Sequence, residues 1–156
     1  MKAVIVCVSV SHGNTRRIAD TMARVWDAQV VAPEEADPRE LAGADLVGFG
    51  SGVFNGRLHP RLTGFVEALP AGRARAFVFA TSGLPETRLV PFTRPVVREL
   101  ERKGYGVTDS FSCRGFDTWA PFKLVGGINK QRPGLGDLAA ARAFAERLRD
   151  ASGPVS

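Results

Sequence analysis

The chain has few of the residues that usually announce a function. Its 156 residues include two cysteines, Cys7 and Cys113, two histidines, His12 and His59, and one tyrosine, Tyr105. The cysteines lack metal-ligand spacing, so no zinc site is expected. Both fall in strand-like runs, where a buried free thiol is the ordinary outcome. Neither Gly-x-Gly-x-x-Gly nor Gly-Lys-Ser/Thr occurs, which removes the dinucleotide fingerprint and the Walker A loop. No apolar stretch is long enough to span a bilayer. No A-x-A-like cleavage site follows the first strand-like run, so a cytoplasmic location is the expectation. Long basic runs are also missing. Lys and Arg number 21 against 16 Asp and Glu, a net charge of +5 with a sequence pI near 9.9, but the positive residues are scattered. Aromatics do not interleave with them, which argues against nucleic acid. An anionic ligand or an acidic protein partner is a better use of the charge.

What is present begins at Val4 to Thr15, Val-Ile-Val-Cys-Val-Ser-Val-Ser-His-Gly-Asn-Thr. A β-branched run stops in hydroxyls, Gly and Asn, and a helical period follows. A strand, a tight loop and a helix start make an anion site, because the first helical N–H groups lack partners and that end of the dipole is positive. Ser9, Ser11, Asn14 and Thr15 add donors, and Gly13 allows φ > 0 or close approach of a ligand. His12 sits in the same loop. Arg16 and Arg17 occupy the first turn, where acids would suit the dipole, so an anion nearby is expected to balance them. A phosphate is the expected occupant. The competing reading of such a loop is plain helix capping.

The rest of the chain alternates. The spacing predicts a strand over Lys2 to Val8 and a helix from Thr15 to Asp27 with Ile18, Met22, Val25 and Trp26 on its buried stripe. A short strand, Gln29 to Ala32, precedes an abbreviated crossover with a short helix near Pro38 to Leu41. Strand three is Asp45 to Gly50, followed by a Gly-rich loop through His59 with one aromatic, Phe54. A helix starts near Pro60, with Leu62, Phe65, Val66 and Leu69 facing inward. Strand four is Arg75 to Ala80, followed by Thr81, Ser82 and Gly83. A helix over Arg94 to Lys103 stops at Gly104. Strand five is Val107 to Arg114. Gly115 to Gly136 shows no clean period, and structureless stretches of that length are often functional. The last helix begins with Asp137 as N-cap and carries Leu138, Ala141, Ala145 and Leu148 on one stripe. Residues 1–150 are read as one domain and 151–156 as a frayed tail.

Alternating strands and helices predict an α/β fold with three layers and a doubly wound, five-stranded parallel sheet. In the strand order 2-1-3-4-5 the ligand lies at the carboxyl edge, where the winding reverses. All three Gly- and hydroxyl-rich loops follow strands and so converge on that edge.

The loop Ser9 to Thr15, with its spacing Ser-x-Ser-x-Gly-Asn-Thr, resembles the phosphate loop of flavodoxins. Gly50-Ser51-Gly52-Val53-Phe54 resembles the loop over one side of the isoalloxazine. Thr81-Ser82-Gly83 resembles the loop facing its other side. The chain as a whole resembles a short-type flavodoxin, which implies non-covalent FMN. By this resemblance the cofactor-binding residues are Ser9, Ser11, His12, Gly13, Asn14, Thr15, Ser51, Gly52, Val53, Phe54, Asn55, Gly56, Thr81, Ser82 and Gly83, with no catalytic residue and no metal. Tyr105 lies away from these loops, which leaves Phe54 or Trp119 to stack on the flavin. Arg57, His59 and Arg88 are candidate positive neighbours of its reduced, anionic form. The implied role is an electron-transfer carrier for a redox partner protein, with an acidic one suiting the charge. The alternatives are a reductase for a small quinone or nicotinamide substrate and a module without flavin. Monomer and homodimer both stay open.

Overall fold

The computed structural model describes residues 2–9, 13–54, 56–82, 92–114 and 135–151, with the backbone alone at Phe54, Ser82, Cys113, Arg114 and Leu135. Among them β1 is Ala3–Val8, α1 Asn14–Trp26 and β2 Gln29–Val31. A single 3-10 turn, Pro33–Glu35, leads to α2 at Pro38–Ala42. Then come β3 (Leu46–Phe54), β4 (Arg57–Leu58), α3 (Pro60–Ala68) and β5 (Arg75–Ser82). The chain continues with α4 (Arg94–Arg102), β6 (Gly106–Arg114) and α5 (Leu135–Ala151).

The sheet has the order β2-β1-β3-β5-β6, with all of these pairs parallel. This is the expected doubly wound order, since β4 is a short strand that only pairs back on β3. The apolar run of β1 is buried along its whole length because both faces are covered. Ala3, Ile5 and Cys7 face one core, with Ile18, Met22 and Trp26 of α1 and Phe144 of α5. Val4, Val6 and Val8 face the other, with Leu62 and Val66 of α3 and Val96 and Leu100 of α4. Period-2 alternation along one strand thus serves two cores.

Three expectations need correction. Strand three does not stop at Gly50: β3 continues to Phe54 and folds back as a hairpin, pairing Val53 with Leu58 and Phe54 with Arg57. The reason is the dipeptide Asn55-Gly56, which favours a two-residue turn with positive φ, and Gly56 has φ 76°. Asp137 is not the N-cap of the last helix. That helix starts at Leu135, so the buried Asp137 lies in its first turn, a place that also suits an acid. The helix also continues into the supposed tail as far as Ala151.

Helix α3 ends against α4 through one lysine. Lys103 Nζ donates to the carbonyls of Glu67 (2.8 Å) and Leu69 (2.5 Å), and its side chain is only 11% exposed. A cation at a helix C-terminus matches the dipole and satisfies carbonyls that have no helical partner. Lys103→Met should lower stability by about 2 kcal/mol, because both carbonyls lose a charged donor. Thermal unfolding should show this as a fall in Tm of about 4–8 °C. An unchanged Tm would mean that water replaces the lysine at no cost.

Candidate functional site

The carboxyl ends of the central strands lie side by side. Val8 is paired with Ser51, Gly52 with Thr81, and Ser82 with Arg114. The ends of β1, β3, β5 and β6 therefore form one edge, and α1 starts above it. Gly13 is the N-cap of α1 in the left-handed region, φ 65° and ψ 22°. Among the described residues, nothing lies within 4 Å of a Cβ placed there, and the positive φ suits glycine. Having no side chain, Gly13 cannot cap the helix. Ser9 does so instead, its Oγ accepting from the Arg16 N–H at 3.2 Å. Ser9 thus has the capping role that was the competing reading of this loop. Asn14 and Thr15 are the first two helical residues.

One bond ties the first loop region to the third. The hydroxyls of Thr15 and Thr81 are 2.8 Å apart and buried, although 66 residues separate them in the chain. This contact fixes the start of α1 against the end of β5. Thr15→Val should cost about 1–3 kcal/mol, because the Thr81 hydroxyl would be left buried without its partner. Adding Thr81→Val should recover much of that loss, and a double-mutant cycle by urea unfolding measures the coupling. Strict additivity of the two losses would deny the bond any role.

The second loop is more occupied with itself than expected. The Ser51 hydroxyl is fully buried, accepts from the His59 N–H at 2.9 Å and donates to the Gly52 carbonyl at 2.7 Å. His59 is the N-cap of α3, with Nδ1 accepting from the Arg61 N–H at 3.0 Å. His59 thus has the capping role rather than a free imidazole. Gly52, Val53 and Phe54 belong to β3, and Gly56 to the hairpin turn that follows. The expectations for Ser11, His12, Asn55, Gly83, Arg88 and Trp119, and for the side chains of Phe54 and Ser82, fall outside the described residues. So does most of Gly115 to Gly136. Tyr105 is buried in the core, edge-on to Phe49 with centroids 6.3 Å apart, and burial raises its phenol above the ordinary value.

One charged feature escaped the sequence reading. Arg61 forms a fork with Glu34, Nε to Oε1 at 2.8 Å and Nη2 to Oε2 at 2.6 Å, and this holds the Glu34 carboxyl below its usual range. The partners are 27 residues apart, beyond any local pattern. The pair joins the start of α3 to the turn after β2, and Arg61, with Arg16, Ser9 and Gly13, lines a cleft of about 310 Å³ beside the first loop. Cys7 lines the same cleft, but burial pushes its thiol up to about 12, so it is a packing residue and not a nucleophile. A larger groove of about 890 Å³ opens between α3 and α4, with Arg57, Leu58, Pro60, Phe92 and Pro95 at its edge-side end.

The geometry brings a helix start and four strand ends together at the carboxyl edge of a doubly wound sheet. Comparison with known proteins says which lineage carries it. The pattern of the Flavodoxin domain family (Flavodoxin_5) matches residues 5–103, and the chain belongs to that family. An uncharacterized protein of Methanocaldococcus jannaschii is 34% identical over 148 residues, covering 95% of this chain and 98% of its own. Among solved structures, a flavodoxin from the domain Archaea superposes with TM-score 0.72 at 15% identity, covering 96% of this chain and 97% of that one. Flavodoxin 2 from Bacillus cereus, in oxidised form, gives 0.67 at 20% identity, covering 96% and 99%. General stress protein 14 from Treponema denticola, solved in complex with FMN, gives 0.65 at 10% identity, covering 97% and 99%. Among the described residues no helix is long and apolar enough to cross a membrane.

Proposed function

We propose that this protein binds FMN without a covalent link at the carboxyl edge and serves as an electron-transfer carrier. The observation that supports this most is the meeting of a left-handed Gly13 helix start with the paired ends of β3 and β5, held by the Thr15–Thr81 bond. The first turn of α1, with Arg16 and Arg17, suits the phosphate. The hairpin of Gly52 to Gly56 and the end of β5 suit the two sides of the ring. Bound FMN would supply the redox chemistry, and the chain would bind it, orient it and set its surroundings. FMN-containing and flavodoxin relatives share the fold.

The visible spectrum of the purified protein tests this, repeated after adding FMN and filtering away free ligand. Flavin bands that stay with the protein are expected. A folded protein that retains none would overturn the reading and leave a flavin-free module. The groove beside Arg57 and Pro95 favours a second reading, in which a small quinone or nicotinamide substrate sits there and the protein is a reductase. Steady-state NAD(P)H oxidation with a quinone separates the two, since a carrier should be nearly inert without a separate reductase.

A further inference from the structure

Three helices begin at the carboxyl edge with arginine and without an acid. Arg16 and Arg17 stand in the first turn of α1, Arg61 in that of α3 and Arg94 in that of α4, and none of these turns contains Asp or Glu. Each placement opposes the helix dipole. Arg57 adds a fifth guanidinium, exposed on the β3–β4 hairpin at the same edge. The outer helix starts of this edge do carry an acid, Glu40 in α2 and Asp137 in α5, so the central three stand apart.

Among the described residues, the carboxylates nearest those helix starts are already engaged. Glu34 holds Arg61, Glu35 accepts from the Ala32 N–H at 3.0 Å, and Asp37 accepts from the Arg39 N–H at 2.9 Å. Asp20, one turn further along α1, pairs with Arg16 at 2.9 Å. Deeper between α3 and α4, Glu99 is held by Arg102 and Lys103. Among the described residues, no carboxylate pairs with Arg57 or Arg94. A phosphate at α1 would balance Arg16 and Arg17 but lies on the β1 side. Arg57 and Arg94 flank the other side, and Arg57 lines the same groove as Pro95, the neighbour of Arg94.

We propose that the edge around Arg57 and Arg94 is a docking surface for an acidic electron-transfer protein. This rests on the redox reading above and deepens it by naming the partner's charge and the residues that meet it. An electron carrier needs a brief, oriented encounter at the exposed side of its cofactor. Complementary charge supplies that encounter by raising the association rate and fixing orientation. Scattered arginines without interleaved aromatics fit an acidic protein face better than an RNA.

The test measures binding of an acidic ferredoxin, and separately of basic cytochrome c, to the full chain by isothermal titration. It is run on protein as purified and on protein saturated with FMN, at about 20 mM and about 200 mM salt, where screening differs strongly. Ferredoxin should bind at low salt and weaken as salt rises. Arg57→Glu with Arg94→Glu should weaken it at least about tenfold. Arg73→Glu, before β5 at the opposite edge, should leave it unchanged. The proposal is overturned if cytochrome c binds in preference, if Arg73→Glu matches the double reversal, or if poly(U) binds tightly at the higher salt and displaces ferredoxin. Arginine-dependent ferredoxin binding by a chain that never retains flavin would keep the surface and remove only the redox reading.

Discussion

Gly50→Ala should destabilise the protein by about 3 kcal/mol or more, one of the largest losses expected from adding a single carbon. Gly50 of β3 is paired with Phe79 of β5, and the Phe79 ring lies flat across the glycine. A Cβ at position 50 would fall on the Cζ, Cε1 and Cε2 atoms of that ring. The ring has little freedom to leave. Phe79 is fully buried and stacks on Phe77 with centroids 5.9 Å apart. Phe77 in turn covers Gly48, touches Phe144 at 5.7 Å and tilts against Trp26 at 5.3 Å. Two glycines on one strand and two phenylalanines on the next thus interlock under α1 and α5. The interior is packed too densely for one ring to shift alone. Thermal unfolding should show a fall in Tm of about 6–12 °C. Gly64→Ala is the counter-test. Gly64 lies exposed within α3, and a Cβ there meets nothing within 4 Å, so alanine should stabilise by about 1 kcal/mol through helix propensity. If both substitutions moved Tm in the same direction, the interlock argument would fail.

That interlock was invisible in the sequence, although both glycines and both rings were plainly there. It depends on the register between β3 and β5, which only the folded sheet defines. Local chemistry was easier to read. The continuous apolar run of β1, the stripe Ile18, Met22 and Trp26, the positive φ of Gly13 and the helix stop at Gly104 each follow from neighbours within a few residues, and the structure has all of them. The convergence of strand ends followed from topology, because parallel crossovers place successive loops on one edge. The hairpin was legible too, through Asn55-Gly56, but loop-like glycines upstream drew attention from it. His59 stood in a Gly-rich stretch and still turned out to be a cap, since a residue just before Pro60 at a helix start is well placed to accept from the N–H of the second helical residue, Arg61. Long-range polar partners had no such local trace. Thr15 with Thr81 and Arg61 with Glu34 join loops that the sequence could only place on the same edge.

The second large effect concerns the ligand itself. If FMN occupies the edge as proposed, riboflavin, which lacks the phosphate, should bind about 10²–10⁴-fold more weakly. Each hydrogen bond to a charged acceptor contributes about 1.5–3 kcal/mol, and two of them account for that span. The donors follow from the geometry of α1. Four N–H groups at a helix start have no partner within the helix. Ser9 takes that of Arg16, and that of Arg17 already reaches the Gly13 carbonyl. The N–H groups of Gly13, Asn14 and Thr15 are therefore the backbone donors left for an anion, with the Asn14 side chain beside them and Arg16 and Arg17 one step further on. Riboflavin would leave this positive end without its counter-charge, whereas the ring contacts at the hairpin and at β5 would be the same for both flavins. Titration of the flavin-free protein, followed by quenching of flavin fluorescence, measures both affinities. Excess inorganic phosphate should compete with FMN and leave riboflavin binding unaffected or improved, because it fills the same end. Equal affinities for the two flavins would show that the loop after β1 does not hold a phosphate, whatever else binds at this edge.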